Sequence, residues 1–408
     1  MKPRRVCLLM AAMLASRMVA GAPDEELLGK SKGYPVGVPV NWFYDEAVRV
    51  GSFSHLDEIF KHHTLPHSPS PVPLPTAASE PAFSYHFDNK DRSINEYLER
   101  QRVTGLLILK DGQIVLERYQ YDRKLTDRFV SHSMAKSITS LGIGFALQEG
   151  KIKSLDDKVS AYVTELKDLP FGEVTLRNVL RMSSGVQFNE NYDGKDDLAR
   201  FGALRRTKGL MAAFSDFTLR DAPEGASFHY ASAQTELLGA VLRAATGETL
   251  AAYIAPRLWQ PMGAESDATW IVDSASLETA AGSFNATLRD FGRLGLLLAN
   301  DGAVGGKQIL PKDYLLEATD WHKQPASFAP GKATPFFGYG YQFWLFPGEK
   351  RRFALIGVYG QSIFVDPGLK LVMVQTAVAK SASVTKESMG AERVAVWRGL
   401  VRHYGSWE

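Results

Sequence analysis

The chain has 408 residues, 45% of them hydrophobic and 23% charged, with seven tryptophans, a composition that buries a large core and excludes disorder as the default state. Forty-seven lysines and arginines nearly balance 45 aspartates and glutamates, and the formal charge of +2 argues against a nucleic-acid partner, which needs a basic face. The single cysteine, Cys7, falls in an N-terminal leader, so the mature chain would have no thiol for a disulfide, a zinc site or nucleophilic chemistry.

Lys2, Arg4 and Arg5 precede an apolar run from Val6 to Ala15 and small residues at Ala20, Gly21 and Ala22, the layout of a secretory signal peptide over residues 1–22. The run is too short to span ~30 Å of hydrocarbon. An exported protein, periplasmic or secreted, without stable membrane insertion after leader removal is therefore expected. Arg4-Arg5 leaves the Sec and twin-arginine routes open, and Pro23 the cleavage point. Residues 23–85 read as an extension and linker. The segment LPHSPSPVPLPTAASEP (65–81) has too many prolines for helix or central strand. Trp42, Phe43, Tyr44 and Phe53 are expected to pack on a surface rather than fold alone.

Residues 86–408 read as one domain. A helix is expected from Ile94 to Arg102, then two apolar runs joined by Asp111-Gly112, a hairpin signal. The stretch from Ile138 to Asn300 has helical periodicity, with Gly302 as a C-capping candidate. Strands follow in Phe353-ALIGV, Ser362-IFVDP and Leu369-KLVMVQTAV, and a helix from Glu387 to Tyr404. The pattern predicts an α/β (α+β) fold. Residues 86–137 and 346–408 would form an antiparallel sheet flanked by helices, residues 138–345 an inserted, mainly helical part, and a cleft would lie between them.

Ser133-Met-Ala-Lys136 has the Ser-x-x-Lys spacing, and so does Ser383-Val-Thr-Lys386. Context separates them. Ser133 opens an almost wholly apolar helix, where the positive end of the dipole favours an oxyanion. Lys136, one turn on, would be desolvated into a base. Ser383 has no comparable setting. Tyr230-Ala-Ser232 on its own fits a buried tyrosine before a helix cap. Gly29-Lys-Ser-Lys-Gly33 lacks the strand and helix of a nucleophile elbow. Gly302-AVGGK lacks Walker spacing, no His-Glu-x-x-His occurs, and His62-His63 suggests no metal. Asn285-Ala-Thr is a glycosylation sequon.

Ser133-Met-Ala-Lys136, Met182-Ser-Ser-Gly185, Tyr230-Ala-Ser232, Gly282-SFNATLRDFGRLG and Tyr359-Gly360-Gln361-SIFVDP follow one another in an order that resembles the class C β-lactamase-like serine hydrolases. The likeness runs from about Ser93 to the C-terminus and is strongest to the 6-aminohexanoate-dimer hydrolase branch and its esterase relatives. It implies Ser133 as the acylated nucleophile, with Lys136 and Tyr230 handling its proton at pKa values drawn towards neutrality. It implies backbone N–H groups of Ser133 and Val358 as the oxyanion hole, and substrate contacts at Ser232, Tyr192, Tyr359 and Gly360. It implies a small-molecule ester or amide as partner and no cofactor; no motif bears on oligomeric state. Leu355-Ile356-Gly357 stands where penicillin-recognising enzymes carry Lys-Thr-Gly, which weakens a β-lactamase or D-aminopeptidase reading. The alternatives are a carboxylesterase and a non-catalytic periplasmic protein that binds an acyl ligand.

Overall fold

The computed structural model describes residues 21–383 and 387–408. The leader, Cys7 and the second Ser-x-x-Lys copy through Lys386 thus lie wholly or largely outside the described residues. The N-terminal extension contributes helix α1 (Glu46–Ser52) and strand β1 (His62–Leu65). Helix α2 (Ile94–Arg100), the hairpin β2 (Val103–Lys110) and β3 (Gln113–Tyr119), and strand β4 (Phe129–Val130) follow. The middle of the chain supplies α3 (Ala135–Gln148), α4 (Asp197–Lys208), α5 (Ser232–Thr246), β5 (Ala268–Ile271), β6 (Phe284–Ala286) and α6 (Leu288–Ala299). Strands β7 (Gly338–Tyr339), β8 (Trp344–Leu345), β9 (Phe353–Ile356), β10 (Ser362–Asp366) and β11 (Leu371–Ala377) lead to the terminal helix α7 (Ser388–Tyr404).

Local chemistry explains the elements. Ser93 and Glu96 form a reciprocal capping box on α2. Asp111 and Gly112 both take positive φ (51° and 79°), the geometry that lets a two-residue turn follow the twist of β2 and β3. Helix α6 closes on a Schellman motif: Asp301 N–H bonds to Leu298 O (3.2 Å) and Gly302 N–H to Leu297 O (2.8 Å). Asp301 and Gly302 both take positive φ (51° and 84°), so the left-handed cap begins one residue before Gly302.

The main sheet is antiparallel, in the order β7-β8-β9-β10-β11-β2-β3. β11 pairs with β2, which joins the two ends of the domain. Alternate residues serve two cores. Leu107, Ile363 and Val372 belong to the core that includes α6, whereas Leu106, Phe364 and Met373 pack with Trp397 and Leu400 of α7. With both faces covered, the strands read as continuous apolar runs. Gly292 and Gly295 let α6 approach closely: a Cβ there would come within 2.6 Å of Leu107 and 2.4 Å of Val372.

Two features depart from the sequence reading. The interval 138–345 also contains β7 and β8 of the main sheet, and α6 of the same interval covers that sheet. The N-terminal extension adds a strand: β1 pairs with β5 in a small sheet ordered β1-β5-β6-β4. Its residues Leu28, Val50 and Phe53 share a buried cluster with Ala377, Val378 and Ala379, at the end of the last strand of the main sheet and just past it. The sequon residue Asn285 is fully buried on β6, which closes it to glycosylation in the folded chain.

Candidate active site

Ser133 stands in a 3₁₀ turn, His132–Met134, that runs directly into α3. The α-helix thus begins two residues later than the serine, which occupies the tighter turn ahead of it. His132 takes φ 43°, an uncommon conformation for a residue with a Cβ and of the kind held in place at functional sites. Helix α3 is buried at every position from Ala135 to Ala146. Lys136 is therefore only 2% exposed.

The Lys136 Nζ lies 3.1 Å from Ser133 Oγ, 2.9 Å from Ser232 Oγ and 2.8 Å from the Ala281 carbonyl oxygen. Burial pushes its pKa down to about 8, against the opposing pull of the Glu190 and Glu236 carboxylates. A neutral amine has two N–H donors and one lone pair. The Ala281 carbonyl can only accept. Ser232 has a single hydroxyl proton, and that proton goes to Glu190 Oε1 at 2.8 Å while the Ser232 N–H donates to Oε2 at 2.6 Å. Both fixed neighbours of the amine are thus acceptors, and its lone pair is left for the Ser133 hydroxyl.

Glu190 is the residue that sequence reasoning missed. It also accepts a hydrogen bond from the Tyr192 hydroxyl (2.8 Å), so it ties two of the expected substrate-contacting residues together. Its only sequence signal is its place two residues before Tyr192 in Gln187-FNENYDG.

The Tyr230 hydroxyl lies close enough to the side chains of Ser133 and Tyr192 for both to bear on its ionisation, and its ring centroid is 5.2 Å from Lys136 Nζ. Its ionisation departs from the expectation that both proton-handling groups are drawn towards neutrality. Burial, reinforced by the Glu190 charge, pushes the phenol well above its ordinary value. Only the lysine moves towards neutral pH. A phenolate beside a carboxylate in a desolvated site is disfavoured, so Tyr230 is held as a neutral hydroxyl.

Ser133, Ser232, Tyr192 and Val358 line one cavity of about 710 Å³. Val358 is brought there by Gly357: a Cβ on Gly357 would sit 2.4 Å from the Ser131 carbonyl oxygen, so only glycine lets β9 end against the serine-bearing turn. Tyr359 and Gly360 do not reach the lining. The Tyr359 ring instead packs on Phe43 (5.0 Å between centroids) and Phe53 (5.4 Å), beneath the Arg49 guanidinium at 4.4 Å. The cause is its left-handed backbone, φ 58° and ψ 21°, within the turn after β9. Leu355, in the place of the Lys-Thr-Gly lysine, is fully buried and supplies no cation. Among the described residues, no group of three or more His, Cys, Asp or Glu side chains converges as a metal site.

A large antiparallel sheet covered by helices, with a Ser-x-x-Lys pair against the end of β9 and near a tyrosine from the helical part, defines a class. The chain belongs to the β-lactamase family, whose pattern matches residues 91–386. The 6-aminohexanoate-dimer hydrolase of Paenarthrobacter ureafaciens is 26% identical over 291 residues, which are 69% of this chain and 74% of that protein. A Bacillus anthracis structure provisionally assigned as a 6-aminohexanoate-dimer hydrolase superposes with a TM-score of 0.78 at 26% identity, covering 89% of this chain and 96% of its own. A penicillin-binding protein from Bacillus halodurans shares the fold at 20% identity, with a TM-score of 0.57 over 74% of this chain and 99% of that one.

Proposed function

We propose that the chain is a serine hydrolase that cleaves an ester or amide bond through an acyl-enzyme on Ser133, with chemistry akin to that of 6-aminohexanoate-dimer hydrolases. The observation that carries this reading is the Lys136 amine 3.1 Å from Ser133 Oγ, with its two other partners fixed as acceptors. Above about pH 8 the neutral amine takes the Ser133 proton as Oγ attacks the substrate carbonyl. The backbone N–H groups of Ser133 and Val358 receive the developing oxyanion. Tyr230, kept protonated, relays the proton from Lys136 to the departing alcohol or amine, while Tyr192, whose one proton is committed to Glu190, offers the substrate only its ring and its oxygen lone pairs. Water then attacks the ester on Ser133, returns its proton by the same route and releases the acid. Ser232 serves Lys136 and Glu190 rather than the substrate, because its one proton is already committed.

A fluorophosphonate probe tests the assignment on the mature protein, with the modified peptide mapped by mass spectrometry. Labelling on Ser133 alone is expected, with loss of ester turnover by at least about 10³-fold in Ser133→Ala. An unlabelled Ser133, or a label on Ser383, would sink the nucleophile. A stable adduct formed from an ordinary ester, without turnover, would favour an acyl-ligand binding protein.

A further inference from the structure

The cavity in front of Ser133 has two unlike sides. One is built by the N-terminal extension: Trp42, Phe43 and Phe60 line it, beside Leu56 and Ile271. Their rings pack as a unit, with Trp42 at 5.2 Å from Phe43, 5.8 Å from Phe60 and stacked at 6.1 Å on His132, the residue next to the serine. This wall is anchored. Phe53 O accepts from Val130 N–H on β4 (2.8 Å), and buried Arg49 donates to the carbonyls of Ala379 (3.0 Å) and Tyr44 (2.9 Å). Burial holds the His132 imidazole neutral, its pKa pushed down to about 3, so the wall carries no charge at physiological pH.

The other side bears charged residues, but these are consumed by the protein. Arg205 donates to Glu236 (2.8 Å), Asp273 (2.7 Å) and two backbone carbonyls. Glu236 also accepts from Ala281 N–H, Asp273 from the N–H groups of Ala275 and Leu277, and Asp196 from those of Asn191, Tyr192 and Ala199. A saturated carboxylate offers little to a substrate ammonium, whose desolvation would go uncompensated. Arg206 is exposed at the rim and stays in water. A cavity of about 710 Å³ falls within the ~300–1,000 Å³ range of sites that enclose drug-sized ligands, far more than a short acyl group fills.

We propose that this site selects esters or amides carrying a bulky, uncharged apolar group, aryl or long alkyl, that seats on the Trp42–Phe43–Phe60 wall. The inference rests on Ser133 being the acylated residue. It departs from a preference for a charged ω-amino chain.

Two ester series test it, one lengthening the acyl chain of p-nitrophenyl esters from acetate to octanoate, the other lengthening the alcohol of acetate esters. In one series kcat/KM is expected to rise by about tenfold or more, since each buried methylene adds to binding. The p-nitrophenyl esters of hexanoic and 6-aminohexanoic acid, of nearly equal length, add a charge test, with the uncharged ester favoured by about tenfold or more. In Trp42→Ala and Phe60→Ala the long-to-short ratio is expected to fall towards one. That ratio, taken within one preparation, does not depend on the fraction folded. Flat profiles in both series, a preference for the ammonium ester, or an unchanged ratio in both variants would overturn the proposal even with Ser133 labelled. Failure of the nucleophile itself reads out separately, as turnover that survives Ser133→Ala.

Discussion

At Lys136, the direction of a lone pair is decided by a residue that never touches it. Glu190 takes the Ser232 proton (2.8 Å), and Ser232 thereby meets the amine as an acceptor. In Glu190→Gln the new NH₂ competes to donate to Ser232, which frees the Ser232 hydroxyl to cap the amine. A fall in kcat of about 10–100-fold is expected, within the range that general-base alignment contributes. The pH profile adds a readout that a merely structural role would not move. In the wild type the base works only when neutral, so activity rises with pH through about 8. Glu190 is the larger of the two charges that hold this pKa up, so its removal moves the rise to lower pH. An unmoved profile in a folded variant would rule out the coupling. Ser133, Lys136 and Tyr230 were legible because motif order along the chain marks them. Glu190 was not, since one more glutamate in a polar loop has no pattern until the fold sets it beside Ser232.

Among the elements, β9 and the turn before α3 meet with no room to spare. Gly357 has φ −119°, which any residue adopts, so the constraint is purely the 2.4 Å approach to the Ser131 carbonyl. Gly357→Ala must push these backbones apart. A cost of about 1–3 kcal/mol is expected in thermal unfolding, together with a loss of about 10²-fold in the acylation rate as Ser133 leaves its alignment. Gly295→Ala is the control, because its Cβ would meet the Val372 side chain of β11 rather than backbone at the site. That variant is expected to lose stability without a comparable loss of rate; an equal loss in both would deny Gly357 its positioning role. The hairpin and β9 to β11 were readable from apolar runs between turn residues. Strands β4, β7 and β8 have two residues each, too few to show a period; β7 and β8 pair locally with each other, and β4 exists only through pairing with β6 far along the chain.

Across the whole molecule, the cavity draws on segments near residues 42–60, 132, 192, 232, 281 and 358. The extension is too small to fold alone, which is why its aromatics read as surface packing. What they contact is set by tertiary geometry: β1 pairs with β5, and α1 sits against the exit of the last strand. Arg49 reaching the Ala379 carbonyl has a consequence for biosynthesis. The extension can meet Val130 and β5 earlier, but the Arg49 anchor can form only once residue 379 has followed, on the order of tens of seconds later at ~5–20 residues per second. Nascent chains stalled before residue 379 emerges are therefore expected to resist fluorophosphonate labelling, and labelled shorter chains would show that the wall is dispensable. Synthesis order alone then sets when the cavity wall can lock, because one of its anchors lies 330 residues further along the chain.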